Sequence, residues 1–459
     1  MIDRRRPALL VATLALFASA GSAAAAPDDG YRTIEVLPGV KWSRTVDTIL
    51  SADSARFHAE YGAASEVATT GRLRVPIDIL LVIEGSKASD AQLAWANAND
   101  VALELDCSKQ VPRARHLVCF SYPNVNFAAL AANPELETLV VIGGAPTKLL
   151  KLRQLQKLRR LEIHTTITDA MIAEVAKLTN LQHLALERRE VTDRHLAQLR
   201  ALTELLSLNL SSTNITDAGL VHLRAFPKLQ SLRMGAVSSG EKDGVATPNL
   251  TAAGLEIVGT LTQLRALDLY ASPSGEGLLH LAKLTQLEAF IGPNKVNDDG
   301  MAVLANFTKL RVLKQWGFGV TDRSATHLKP LPLQLLDVKY TKLGDKAASV
   351  IGSLSRLEEL GAPRGLGDPG MKHLARLAKL RRIDLCDTQI TDVGVALLPR
   401  ASALEFVNIC NNGERITLIS AASLAKLPKL SEVVAGGTRF EYKGCPALRA
   451  KIGREVCSQ

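Results

Sequence analysis

Residues 205–220 read Leu205-Leu206-Ser207-Leu208-Asn209-Leu210-Ser211-Ser212-Thr213-Asn214-Ile215-Thr216-Asp217-Ala218-Gly219-Leu220. The leucines at the first, fourth and sixth places describe a short strand with alternate residues turned inward. Thr216-Asp217 then reads as a helix start, because hydroxyl and carboxylate oxygens accept from free backbone N–H groups. Leu220 and Leu223 follow at helical spacing. This frame returns every 23 or 24 residues, and a period of that length signals a solenoid of stacked supersecondary units. A solenoid is an extended surface, so binding is the first expectation and catalysis needs separate evidence.

Thirteen units open between Leu136 and Leu430. Degenerate copies at Ile77-x-x-Leu80-x-Val82 and Asp100-x-x-Leu103-x-Leu105 extend the series upstream. The expected organisation is a signal peptide over 1–25, an N-terminal cap or linker over 26–76, the solenoid over 77–440 and a C-terminal cap over 441–459. Composition agrees with thin stacked layers: 47% of residues are hydrophobic and only 4% are aromatic. One step is long. From Leu229 to Leu264 is 35 residues, and the excess, Ser238 to Pro248, follows the strand as a rim loop.

These motifs resemble the leucine-rich repeat family, in the Thr-Asp-x-Gly-Leu variant similar to the cysteine-containing subtype. That subtype often carries Cys where this chain has Thr213 or Thr388. The resemblance implies an α/β solenoid: a right-handed arc with a parallel sheet on the concave face, short helices outside and protein binding on the concave side. Residues 26–76 do not resemble an F-box, and an export signal argues against the ubiquitin-ligase receptors that share this subtype.

The first residues read as that signal. Arg4-Arg5-Arg6 precedes the uncharged stretch Ala8 to Ala20, and Ala23 to Ala26 supplies small residues for cleavage. The rival reading is an uncleaved anchor over Ala8 to Ala26. Export, periplasmic or secreted, with no membrane span after cleavage, is the expected location. Six cysteines suit an oxidising compartment. The expected pairing is Cys107–Cys119, Cys386–Cys410 and Cys445–Cys457, with the first and last sealing the solenoid ends. Net charge is +9, spread thinly and without a basic run interleaved with aromatics. Nucleic-acid binding is not expected; weak attraction to anionic surfaces is compatible with it.

Strand residues between the inward leucines point out of the concave face. Reading those columns gives a candidate partner-binding patch: Asp268, Tyr270, Lys314, Trp316, Asp337, Lys339 and Asp384. Trp316 leads it, because a concave Trp on an aromatic-poor chain is a typical hot spot. The bland alternative is that Trp316 folds over neighbouring side chains while the charges keep the face soluble.

Chemical motifs are sparse. Gly365-Leu366-Gly367-Asp368-Pro369-Gly370 matches a dinucleotide-binding glycine pattern, yet the repeat register already accounts for Asp368 and Gly370. His222, His280, His327 and His373 fall in alternate repeats, too far apart to share one metal. His164 and His183 lie on adjacent concave strands without an obvious third ligand. No catalytic residue, cofactor or metal is assigned. The expected function is an exported, non-enzymatic protein that binds a protein ligand on its concave face. Polysaccharide binding, a structural envelope or adhesion role, and a substrate receptor or host-directed effector are the alternatives.

Overall fold

The computed structural model describes residues 31–36, 42–47, 71–76, 79–84, 96, 102–106, 114–120, 130, 132–143, 152–235, 250–270, 275, 277–453 and 456–458. The signal segment, Cys107 and the 238–248 insertion lie outside these residues.

Within each repeat the inward leucines come first and the strand is short. Ser207–Asn209 is a strand of three residues, paired in parallel with His183–Leu186 on one side and Ser231–Arg233 on the other. Register is strict: Leu208 lies opposite Leu184 and Leu232. A one-residue slip would turn every leucine to the wrong face, so the hydrophobic pattern fixes the register. The ladder continues in parallel from Ile79–Glu84 to Cys457–Ser458. At the N-terminal edge Trp42–Asp47 lies antiparallel on Ile79–Glu84, which covers an otherwise open strand. The opposite edge ends on the helix Cys445–Ile452 and the short strand Cys457–Ser458.

The outer layer is made of short α- and 3-10-helical turns, such as Asp217–Leu220 followed by Val221–Ala225. Leu205, Leu208, Leu220 and Leu223 are all inaccessible to solvent, and one continuous core runs the length of the solenoid. Truncating any such leucine to Ala would cost about 2–5 kcal/mol. In four repeats a buried Thr seals the turn after the strand. The Thr213, Thr341, Thr388 and Thr438 hydroxyls donate to the carbonyls of Leu210, Val338, Leu385 and Ala435, three residues back in each case. Asn412 does the same work across repeats, donating to Leu385 and Ile409 at 2.9 Å each.

The aspartate of Thr-Asp-x-Gly-Leu departs from the local-cap expectation. Its carboxylate crosses to the next repeat and caps the helix there. Asp193 accepts from the Thr216 backbone N–H at 2.8 Å and from its hydroxyl at 2.6 Å. Asp217 serves Thr251 in the same way, across the long step. A second run joins Asp298 to Thr321, Asp322 to Gly344, Asp345 to Gly367, Asp368 to Thr391 and Asp392 to Thr417. The glycine of the motif makes room for this crossing. A Cβ on Gly219 would lie 2.1 Å from Asp193 Oδ1, and one on Gly370 would lie 2.6 Å from Asp345 Oδ1. Where His195 replaces that glycine, its ring takes over: Nδ1 accepts from the Thr192 N–H and Nε2 bonds Asp169 at 2.7 Å.

Between the two runs the ladder stops. Ala252 and Gly275 occupy the aspartate place. Gly277 instead approaches Ala252 so closely that a Cβ would meet the alanine Cβ at 2.6 Å.

Candidate functional site: the concave face

The concave face divides into three zones. Toward the N-terminus it is ionic. The His164 ring sits between Glu162 and Glu187, each at 3.3 Å, and Asn209 donates to Glu187. Burial disfavours the imidazolium, but hydrogen bonds and charge from both glutamates outweigh it and raise the His164 pKa to about 9. Burial raises Glu187 in turn, but the hydrogen bond from His164 and nearby positive charge bring it below the ordinary glutamate value. Among the described residues no group of three His, Cys, Asp or Glu is placed to hold a metal ion.

The central zone is apolar. Ala266, Ala289, Ile291, Val312 and Leu335 form a second buried cluster, separate from the main core, with Tyr270 packed against it. Parallel register places Ala266 beside Ala289, Ala289 beside Val312, and Val312 beside Leu335. Tyr270 and Trp316 meet edge to face with centroids 4.9 Å apart, and Trp316 meets Tyr340 at 6.4 Å. The Arg364 guanidinium lies 4.8 Å over the Tyr340 ring and pairs with Asp387 at 3.2 Å. Trp316 is therefore half-buried between two tyrosines, not freely solvent-facing. Its indole Nε1 is buried and has no hydrogen-bond partner among the described residues. Lys314 is half-exposed and makes no ion pair among the described residues.

Gln315 explains how Trp316 is held. It stands where other repeats carry Leu210, Leu269 or Leu385, and it is fully buried. Its Nε2 donates to the carbonyls of Pro293 at 2.9 Å and Trp316 at 3.1 Å. Gly292, at the same place one repeat earlier, leaves the space: a Cβ there would lie 1.9 Å from Gln315 Oε1.

The third zone is ionic and cross-linked. Lys339 reaches Asp384 at 2.9 Å and Asp337 at 3.8 Å, and burial of its ammonium is outweighed by these acids, which raise its pKa. Cys386 and Cys410 form a disulfide between neighbouring concave strands, with Cα atoms 4.6 Å apart. Cys445–Cys457 closes the C-terminal end at 5.9 Å. Cys119 is disulfide-bonded, and Cys107 lies outside the described residues.

The seven expected patch residues thus separate. Tyr270 and Trp316 touch, with Lys314 two residues before Trp316 on the same repeat. The three aspartates have internal duties. Asp268, Asp337 and Asp384 each accept the backbone N–H two residues on, at 2.8, 3.2 and 3.0 Å. Asp268 is nearly buried and also faces Arg233 at 3.6 Å. Asn209 and Asn408 play the same part in their repeats. Lys339 is committed to Asp384 and Asp337. The sequence columns omitted Tyr340, Arg364 and Gln315. Gln315 and Gly292 were visible as consecutive breaks in a leucine column; Tyr340 and Arg364 lie one place beyond the columns read.

The glycine-rich stretch 365–370 is occupied by the fold itself. The Gly367 and Gly370 N–H groups, which a phosphate would take, donate to Asp345 Oδ1 at 2.8 and 3.0 Å.

No family model matches the chain, and no curated protein matches it. Solved structures do. An internalin from Listeria monocytogenes is 20% identical with a TM-score of 0.45, over 78% of this chain and 95% of that one. A leucine-rich repeat protein of Leptospira interrogans is 16% identical with a TM-score of 0.45, over 78% and 95%. TLR13, solved in complex with a single-stranded RNA, is 18% identical with a TM-score of 0.49, over 74% of this chain and 50% of that one. Beside these likenesses stands the chain's own geometry: an in-register parallel ladder of two- to six-residue strands, most of those from Thr138 onward followed by a short helical turn and repeated with one leucine frame. The fold is an α/β leucine-rich repeat solenoid.

Proposed function

We propose that this chain is an exported binding protein that holds a protein ligand on the central zone of its concave face. One observation carries the reading: the concave sheet bears a second apolar cluster, apart from the core, edged by Tyr270, by Trp316 with an unpartnered indole N–H, and by the uncommitted Lys314. An unpartnered buried donor costs about 1–3 kcal/mol, which a ligand carbonyl would recover once the indole turns outward to meet it. The floor of the cluster is already shielded, so a partner meets Tyr270, Lys314 and Trp316. The flanking zones, whose charges are paired among themselves, act as a polar rim.

Export rests on the arginine-led apolar start and on the disulfides, which suit an oxidising compartment. Among the described residues no helix is long and apolar enough to cross a membrane.

The test is affinity isolation of partners from the native host with the wild-type chain beside Trp316→Ala and Lys314→Glu. A discrete protein retained by the wild type and lost with both variants supports the reading. Equal retention by all three would contradict it, and retention of a polysaccharide instead would move the assignment to that alternative.

A further inference from the structure

The rim on which the helical turns begin carries a surface that the concave site does not use. The residue after each ladder aspartate projects there. Arg323, Val393 and Ile419 hold equivalent places, since each donates its backbone N–H to the Thr hydroxyl two residues earlier, at 3.4, 3.1 and 3.3 Å. Lys346 and Pro369 follow Asp345 and Asp368 in the same way. Tyr442 follows on the next repeat, two residues after Phe440, whose N–H donates to the Ile416 carbonyl at 3.1 Å.

Along this row the character changes from Arg323 and Lys346 to Pro369, Val393, Leu418, Ile419 and Tyr442. All are exposed. Val393, Leu418, Ile419 and Tyr442 stand 65%, 51%, 67% and 78% open, and they are half of the large apolar side chains exposed among the described residues. Scattered exposed apolar residues need no explanation, but a contiguous set does. The carboxylates beside the row are turned inward. Asp345, Asp368 and Asp392 spend their oxygens on the following repeat. The cations are not balanced in this way: Lys346, Lys372 and Lys443 are exposed and make no ion pair among the described residues. The row therefore shows apolar tips and positive charge outward, on short turns and not in a groove.

The geometry points to this rim as a docking surface for an anionic lipid bilayer. Apolar and aromatic tips enter the interface while neighbouring lysines meet acidic headgroups, and both contributions add. Tyr442 suits that boundary, with an apolar ring and a polar end. Self-pairing of the row would bring like charges together, which favours the bilayer over a second copy. The concave face stays free for its own ligand.

The experiment is vesicle co-sedimentation of the full chain at low salt, with phosphatidylcholine alone and with phosphatidylcholine containing phosphatidylglycerol. The expected result is sedimentation with the anionic vesicles only, weakened as salt rises through ~0.15 M. Ile419→Glu with Tyr442→Glu should lower the partition about tenfold or more, and Lys346→Glu with Lys443→Glu about tenfold. Val221→Glu with Leu279→Glu, the same charge change at two other exposed apolar sites, should leave it within about twofold. Circular dichroism checks that each variant folds. Absence of anionic-vesicle binding, equal binding to neutral vesicles, or unchanged binding by the rim variants would overturn the inference. So would a concentration-dependent dimer that only the rim variants abolish.

Discussion

The repeats from Asp298 to Ser420 and those from Ala252 to Asn297 share one leucine frame but are wired differently. In the first block a carboxylate crosses every junction and caps the next helical turn. In the second, Ala252 packs directly on Gly277 and no such crossing exists among the described residues. The concave face also changes here, though its boundary runs further. Its apolar cluster begins on the strand Ala266–Asp268, within the unwired block, and ends at Leu335. The lesson is that the frame alone builds the solenoid, while the aspartate ladder is an added rigidifier. Departures from local rules tend to gather at functional sites, and here the proposed patch straddles the boundary: Tyr270 stands in the unwired block, while Lys314 and Trp316 stand on the first wired repeat.

The comparison breaks most readily at the ladder glycines. Gly219→Val should destabilise the chain by about 3 kcal/mol or more, because the new side chain must displace the Asp193 carboxylate. Thermal unfolding with no shift would show that the carboxylate does not need that space. Gly413, whose surroundings are open within 4 Å, should tolerate Ala far better, losing only about 1 kcal/mol to its left-handed backbone.

Next in size is a pH effect in the N-terminal concave zone. In the folded chain the two glutamates hold the His164 pKa at about 9, above the 6.5 of a free imidazole. Its contribution is complete below pH 6.5 and is lost as pH rises toward 9, by about 3 kcal/mol at most. Urea unfolding at about pH 6 and pH 9.5 measures it. His164→Gln should flatten the dependence; an unchanged slope would mean that other groups set it.

A single crossing can be removed without steric insult. Asp345→Ala orphans the N–H groups of Gly367 and Gly370 and should cost about 2 kcal/mol. Hydrogen exchange should quicken at those two amides and not at the turn after Ala252. Uniform acceleration along the chain would deny the ladder its local role.

The smallest effect is the sharpest. Gly292→Ala forces Gln315 to shift and should cost about 1 kcal/mol. It should also change Trp316 fluorescence and weaken partner binding, although it adds nothing to the concave surface. A stability loss with unaltered Trp316 emission would separate Gln315 from the site.

The fold was legible because period and register are one-dimensional: a leucine column needs only a constant step. The helix starts were legible too, but the destination of Asp193 or Asp345 was not. A Thr-Asp pair reads locally as its own cap, and only the stacking shows the next repeat's amides within reach. The same limit applied to the site. Columns placed Tyr270 and Trp316 near each other, yet they could not show that Tyr340 shields the indole or that Asp268, Asp337 and Asp384 are spent on local backbone amides. Those facts depend on rotamers and on residues one place beyond the column.

One measurement tests the central claim directly: photo-crosslinking in the native host with the reactive residue at position 316, at position 408 in the cross-linked concave zone, and at position 222 on the outer layer. The account predicts a discrete protein adduct at 316 and none at 408 or 222. An adduct of equal yield at 408, or one confined to 222, would contradict it.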